Sequence, residues 1–295
     1  MLFKKILVPV LEGTTELAAL KAALALACRY NAHVDALHID DGPLSASARE
    51  AARHACDRFL AAAAAYGVPM REGYQDPSSV SASWREVVVR FPEEIGFAAH
   101  DADLVVFAAD RIDLNNRLGR ILQATLLDSG RPVLIVPGGT AAPFGRRVAI
   151  AWNGDREARH AVDGALPLLG RADAVLVLCD PAILGDAAKN QVLQACLARH
   201  NLRAEIVPLE VRDRQTPQAL VDQAKALGAD VLVMGAHPVP GRALPFPVAL
   251  GVTGAVTRHV FDHVEIPMLM PTGHRRREVQ PCPSQQPNPR FVRRS

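Results

Sequence analysis

The chain has 295 residues, which leaves room for two domains of ordinary size. Its 33 basic and 31 acidic side chains give a net charge of +2, which provides no general attraction to nucleic acid or to acidic membranes. A hydrophobic content of 49% excludes a mainly disordered protein, and an aromatic content of 5% disfavours the aromatic platforms on which nucleic-acid bases stack.

The first apolar segment of the chain predicts a strand. Residues 6–10 (ILVPV) follow Lys4 and Lys5, but Pro9 and Glu12 interrupt the segment before it reaches the length of a secretory signal. No apolar run approaches the roughly 18–20 residues that cross a bilayer. The five cysteines form no CxxC pair, and four of them lie in apolar segments, so we expect reduced thiols and a cytoplasmic protein without a membrane partner.

Four segments recur in the same order and indicate an internal repeat. The matched segments are 6–10 (ILVPV) with 148–152 (VAIAW), 32–40 (AHVDALHID) with 172–180 (ADAVLVLCD), 102–110 (ADLVVFAAD) with 229–237 (ADVLVMGAH), and 132–137 (PVLIVP) with 267–271 (PMLMP). Residues 138–145 contain three glycines and a proline and have the composition of a linker. A second copy of one unit therefore begins near Arg146.

Each copy alternates short apolar runs with longer segments of helical period, which is typical of a parallel sheet with helices on both faces. In the first copy the pattern predicts strands at 4–10, 32–39, 69–74, 103–109 and 132–137, and helices at 15–30, 46–66, 82–99 and 115–129. In the second it predicts strands at 146–152, 173–179, 203–210, 229–234 and 267–271, and helices at 155–170, 186–200, 216–227 and 252–264.

This order of elements, with ILVPV opening one copy and 148–162 (VAIAWNGDREARHAV) opening the other, resembles the universal stress protein family in its tandem-domain bacterial form. Residues 229–235, 255–260 and 266–269 resemble the family's fourth strand, fourth helix and fifth strand, and 129–137 (SGRPVLIVP) resembles the fifth strand of a first domain. The resemblance covers about 3–272. It implies two tandem Rossmann-like α/β domains, each a five-stranded parallel sheet sandwiched by helices, and ATP bound between strands 1 and 4 in many members.

The predicted domains are 1–140 and 146–273, followed by an Arg- and Pro-rich tail at 274–295 that we expect to be disordered. The tail holds six arginines and one glutamate, a net +5 that leaves −3 for 1–273. The strands at 132–137 and 267–271 would have unpaired edges in isolated domains, so we expect the copies to pack as an internal pseudo-dimer.

The resemblance places a phosphate loop of the form G-x-x-G-x(9)-G-[ST] after the fourth strand of the second copy. Gly235 matches its first glycine and Gly241-x(9)-Gly251 keeps the second spacing, but Pro238 stands where a further glycine belongs. Four prolines in the loop also remove N–H donors that could bind phosphate. The loop is therefore a degenerate version of the family's site.

The residues predicted to bind adenine nucleotide, as ATP or AMP, lie at the carboxyl ends of strands in the second copy: Ala151, Asn153, Cys179, Gly235, His237, Gly241, Arg242, Gly251, Val252, Thr253 and Gly254. Alternatives stay open for several of them. Arg242 fits a solvated loop residue equally well, His237 fits a bond to a neighbouring carbonyl, and Asn153 with Asp155 fits a helix N-cap. In the first copy the equivalent loop, 108–119, has one glycine and two aspartates, so we expect no triphosphate there.

Other chemistry finds little support. The chain has neither GxxxxGK[ST] nor GxSxG, and His259 and His263 have metal-ligand spacing without an HExxH pattern, so we predict no metal site and no catalytic residue. We expect a stress-response sensor or regulator with no specific nucleic-acid partner and an unidentified protein partner. The alternative is a structural or protein-interaction module that binds no nucleotide, and slow ATP hydrolysis is a third reading.

Overall fold

A computed structural model describes residues 3–11, 16–40, 46–73, 79–88, 95, 98–109, 112–113, 116–140, 143–210, 216–235 and 264–271. The strands are β1 (Lys5–Val10), β2 (His33–Asp40), β3 (Ser81–Val88), β4 (Leu104–Ala108), β5 (Val133–Val136), β6 (Arg147–Trp152), β7 (Ala174–Cys179), β8 (Glu205–Pro208), β9 (Val231–Val233) and β10 (Met268–Met270). The helices are α1 (Glu16–Tyr30), α2 (Ala46–Ala65), α3 (Arg117–Asp128), α4 (Arg156–Leu169), α5 (Pro181–Leu184), α6 (Ala187–Arg199) and α7 (Thr216–Ala226).

The strands form one ten-stranded sheet in the order β3-β2-β1-β4-β5-β10-β9-β6-β7-β8. Read outward from its centre, each half has the same strand order, and all pairs within a half are parallel. The halves join where β5 runs antiparallel to β10, with Leu134 opposite Leu269. Each strand thus covers the edge that the other would leave open to solvent. The sheet and its helices have the predicted Rossmann-like α/β architecture.

An aspartate at the start of the fourth strand fixes the first strand in each half. Asp103 accepts hydrogen bonds from the main-chain N–H groups of Lys4 and Lys5, at 2.8 and 3.0 Å. Asp230 accepts from those of Arg146 and Arg147, at 2.9 and 3.1 Å. The recurring Ala-Asp pair in the sequence therefore has a structural role at the amino ends of the strands.

Aliphatic side chains fill the space on both faces of the sheet. One face packs against α1, α2, α4, α5 and α6, and the other against α3 and α7. The strands next to the centre are buried on both faces, which explains their continuous apolar runs. Among the residues that the structure describes, no helix combines the length and the apolar composition that crossing a membrane requires.

The sequence prediction was wrong between residues 69 and 88. Residues 81–88 form β3 instead of the start of a helix at 82–99, and the strand expected at 69–74 is reduced to one parallel bridge between Met70 and Ala82. The reason is an alternation of side chains: Ser81 and Ser83 turn toward partners on β2, while Ala82 and Trp84 pack under the helices. Ile95, Ala98 and Ala99 are helical as predicted.

The repeat match at the second strand was out of register by one residue. Lys5 pairs with His33, 28 positions later, whereas Arg147 pairs with Ala174, 27 positions later. The structural counterpart of Cys179 is therefore His38, which pairs with Val10 as Cys179 pairs with Trp152. The connection between the first two strands is one residue longer in the first half than in the second.

Candidate functional site

In each half the strand order reverses beside the first strand, and ligands of open α/β sheets bind at such a point, beyond the carboxyl ends of the strands. In the second half this point lies between β6 and β9, which pair with Ile150 opposite Val233. The turn that follows Trp152 and the segment that follows Val233 therefore flank one crevice. The described part of the predicted site lies here.

The turn after β6 is held by its own side chains. The Asn153 Nδ2 atom donates to Asp155 Oδ2 at 2.5 Å, and the Asp155 N–H donates to Asn153 Oδ1 at 3.2 Å. Gly154 between them has φ +81°, a left-handed conformation that glycine adopts without strain. Asp155 is the N-cap of α4 and accepts from the Ala158 N–H at 2.8 Å. Asn153 itself is exposed beside the crevice and braces the cap.

Gly235 brings the end of β9 against the first turn of α4. The residue is buried, and a Cβ atom built on it would lie 2.8 Å from the main-chain carbonyl carbon and oxygen of Glu157. No other residue fits this approach unless the main chain moves. The structure therefore brings Gly235 together with the turn that carries Asn153.

Ala151 and Cys179 lie on opposite faces of the sheet. Ala151 is partly exposed and packs on the face of α3 and α7, whereas Cys179 is fully buried on the face of α4. The Cys179 thiol donates to the carbonyl oxygen of Asp180 at 3.7 Å. Burial, reinforced by the Asp180 carboxylate, raises the pKa of this thiol to about 11, so it stays protonated at neutral pH.

Sequence reasoning missed Trp152 and the short helix α5. Trp152 is 3% exposed, belongs to the same apolar cluster as Ile183 of α5, and its indole Nε1 has no hydrogen-bond partner among the described residues. The signal was present in the alternation along β6, since Trp152 must face opposite to Ala151. A tryptophan at the end of a first strand was therefore a candidate for the wall of the crevice.

The aspartates near the carboxyl ends of β6 and β7 occupy helix N-termini. Asp155, Asp180 and Asp186 are the N-caps of α4, α5 and α6, and each accepts hydrogen bonds from main-chain N–H groups of its own helix. These three N-termini are consequently satisfied by carboxylates, which repel phosphate. Within the described ranges, no group of three or more His, Cys, Asp or Glu side chains could hold a metal ion.

The remaining predicted site residues lie outside the described residues: His237, Gly241, Arg242, Gly251, Val252, Thr253 and Gly254. The same holds for His259, His263, the predicted helix at 252–264 except Val264, and the whole tail at 274–295. In the first half, Asn116 caps α3 and its Oδ1 accepts from the Gly119 N–H at 2.8 Å. The N–H of that loop's glycine is therefore already bonded.

Comparison with known proteins agrees with this architecture. Residues 2–137 match the model of the universal stress protein family. A universal stress protein from Archaeoglobus fulgidus DSM 4304 has the same fold with a TM-score of 0.68 and 13% identity, over 91% of this chain and 98% of its own. A protein of unknown function from Pseudomonas aeruginosa PAO1 follows with a TM-score of 0.53 and 20% identity, over 92% of each chain. No curated protein matches the chain.

Proposed function

We propose that the protein is an adenine-nucleotide-binding sensor or regulator of a stress response, because residues 2–137 match the model of the universal stress protein family. The nucleotide, ATP or AMP, binds in the second half, between the turn that follows β6 and the loop that follows β9. Its binding state is the signal that the protein transmits to a partner. The two halves form an internal pseudo-dimer, so the paired arrangement of the two domains is built into a single chain.

The observation that carries this proposal is the contact of Gly235 with α4. Gly235 is buried against the main chain of Glu157, and the exposed Asn153 lies in the adjoining turn. Close approach of a glycine loop to a helix at the strand-order reversal is the arrangement in which such folds bind nucleotides. Asn153 and Ala151 contact the ribose and base, whereas Cys179 is fully buried on the other face of the sheet from Ala151 and makes no contact with the nucleotide.

The phosphates bind along the loop after β9. Carboxylates already cap α4, α5 and α6, and we assign the phosphates to the N-terminus of the helix predicted at 252–264, which follows this loop. The proposed phosphate contacts are Gly241, Arg242, Gly251, Val252, Thr253 and Gly254, with His237 at the start of the loop. Affinity is weak, because Pro238 removes one N–H donor and further prolines stiffen the loop.

The first half binds no nucleotide in this proposal. The N–H of Gly119, which a phosphate would need, is bonded to Asn116, and Leu11 stands where the second half has Asn153. Packing against the second half through β5 is the role left to it.

Titration calorimetry of the full chain with ATP and AMP tests the proposal. We expect weak binding of one nucleotide per chain, its loss in Gly251→Val, and a reduced affinity in Asn153→Ala. The matched control is Gly119→Val in the first half, which should bind as the unaltered protein does. If Gly119→Val abolished binding and Gly251→Val left it intact, the site would lie in the first half and the proposal would be wrong.

The competing function is a protein-interaction module of the same fold that binds no nucleotide. The absence of heat at millimolar ATP and AMP, together with a protein that purifies free of nucleotide, would favour it. Slow ATP hydrolysis ranks third, because no catalytic base is identified among the described residues and the Cys179 thiol is buried and protonated. A cytoplasmic location is part of the proposal and is supported by the free thiols of Cys28, Cys56, Cys179 and Cys196.

A further inference from the structure

A buried polar cluster lies in the first half, at the amino ends of β2 and β3. The candidate crevice lies in the second half, at the carboxyl ends of its strands. Four side chains of the cluster, His33, Asp35, Ser81 and Ser83, are at most 4% exposed. They project from β2 and β3 toward one face of the sheet, and β3 is an outermost strand. Polar groups in such a place must satisfy one another, since water reaches them poorly.

The hydrogen bonds of this cluster form a chain with a defined direction. The Ser83 hydroxyl donates to Asp35 Oδ1 at 3.3 Å, so its oxygen can only accept from the His33 Nε2 atom, 2.9 Å away. Neutral His33 therefore carries its proton on Nε2, and its Nδ1 accepts from the Ser81 hydroxyl at 2.9 Å. The chain runs from Ser81 through His33 and Ser83 to the Asp35 carboxylate.

The charges around His33 oppose a second proton. Asp35 attracts it, but that carboxylate is already bonded by both Nε and Nη2 of Arg85 and lies 3.9 Å from Lys5 Nζ. Lys5 on β1 and Arg85 on β3 repel a positive imidazole. The negative charge of Asp101 acts on Arg85, where it favours the charged guanidinium. Burial, the largest cause, together with Lys5 and Arg85 outweighs Asp35 and lowers the pKa of His33 below its ordinary 6.5.

A second proton would also reverse one link of the chain. Protonated Nδ1 must donate, so the Ser81 hydroxyl can no longer donate to it and has to turn its hydrogen elsewhere in a site that is 3% exposed. Ser81 is the first residue of β3 and lies opposite His33 in the sheet. Protonation of His33 therefore weakens the hydrogen bonding at the start of β3.

We propose that His33 is a pH-sensitive latch that holds the start of β3 on β2 while it is neutral and releases it when it is protonated. The release uncovers the start of β2, whose strand N–H and C=O groups then become available for pairing, and it takes along residues 69–71, which hydrogen-bond to Ala82 on the outer side of β3. The latch is independent of nucleotide binding, because its residues lie at the amino ends of β2 and β3.

Hydrogen–deuterium exchange of the full chain tests the latch at pH values on either side of the ordinary histidine pKa of 6.5. After correction for the intrinsic rates, protection of 79–88 should fall several-fold on the acid side, and the fall should vanish in His33→Gln, whose amide cannot be protonated in this range. The control His54→Gln removes an exposed imidazole on α2 and should keep the fall. An equal fall in His33→Gln would overturn the proposal.

Nitrogen-15 NMR of the histidine rings in the unaltered chain decides the same question without a substitution. We expect His33 to be the Nε2–H tautomer at neutral pH and to titrate below 6.5. A midpoint at or above 6.5, or the Nδ1–H tautomer, contradicts the latch even if His33→Gln fails to fold.

Discussion

Arg29 and Arg171 each donate a guanidinium hydrogen bond to the main-chain carbonyl of the other. They are 142 positions apart, which is the offset that relates Ile6 to Val148, so equivalent residues of the two halves make a reciprocal contact. Both side chains also lie over the ring of Tyr30, with the Arg171 guanidinium carbon 4.8 Å from the ring centre.

Each arginine in this pair neutralises the end of the other's helix. Arg29 lies in the last turn of α1, and Arg171 follows the end of α4, where unpaired carbonyl groups carry a partial negative charge. Tyr30 adds a hydrogen bond from its hydroxyl to the carbonyl of Pro167 at 3.0 Å. Among the described residues, the β5–β10 pair and these helix ends both join the two halves.

Replacing Arg29 should cost more stability than replacing Arg171. Arg29 also donates to the carbonyls of Phe144 and Gly145, at 3.0 and 3.2 Å. Arg29→Ala therefore removes hydrogen bonds to three main-chain carbonyl groups, including that of Arg171. We expect a loss of about 2 kcal/mol for Arg29→Ala and about 1 kcal/mol for Arg171→Ala in urea unfolding. The double variant should lose less than the sum, because the two side chains interact. Additive losses, or a smaller loss for Arg29→Ala, would contradict a stabilising contact between Arg29 and Arg171.

Gly235→Ala should destabilise the second half and weaken nucleotide binding together. The new methyl group would lie 2.8 Å from main-chain atoms of Glu157, and relieving such an overlap typically costs about 1–3 kcal/mol. Gly139→Ala is the matched control, since nothing lies within 4 Å of its added methyl group. Thermal unfolding and calorimetry on both variants check this, and an unchanged Gly235→Ala would show that the loop moves freely away from α4.

The buried thiol of Cys179 should make the fold sensitive to alkali. Its pKa is raised from 9.0 to about 11, so above pH 9 the unfolded chain loses this proton before the folded one does. Its contribution to stability is present below pH 9 and is lost as the pH rises to about 11. The free energy of unfolding, measured with urea from neutral to alkaline pH, should therefore fall less steeply in Cys179→Ala than in the unaltered protein.

Alkylation supplies the control for this prediction. Cys28 is exposed, whereas Cys179 is fully buried, so iodoacetamide should modify Cys28 in the native protein and Cys179 only after unfolding. Early modification of Cys179 in the native protein would mean that its thiol is open to solvent and that the alkaline effect has another source.

Removing 275–295 should leave the stability unchanged. This prediction rests on composition alone, because six arginines and few apolar residues cannot bury enough surface to offset the ordering of the chain. We expect the truncated protein to unfold within about 1 kcal/mol of the full chain in urea. A larger loss would indicate that this segment packs against the folded part.

The alternation of apolar and helical segments was enough to predict most elements. The strands β1, β2 and β4 to β10 and the helices α1, α2, α3, α4, α6 and α7 lie within two residues of their predicted bounds, because their apolar residues are repeated at the period of the element they form. The crevice was predictable for a related reason: Asn153 and Gly235 follow strands whose order in the sheet follows from the family resemblance.

Residues 81–88 mark the limit of that reasoning. The sequence by itself determined the repeat, the α/β architecture and the places where strands end, since periodicity and turn residues act between near neighbours. It did not determine that Ser81 and Ser83 bond to a histidine 48 and 50 positions away, or that Arg29 meets Arg171 across the two halves. Those choices depend on distant polar groups that only the folded sheet brings together, and an unsatisfied buried group costs enough to override local preference.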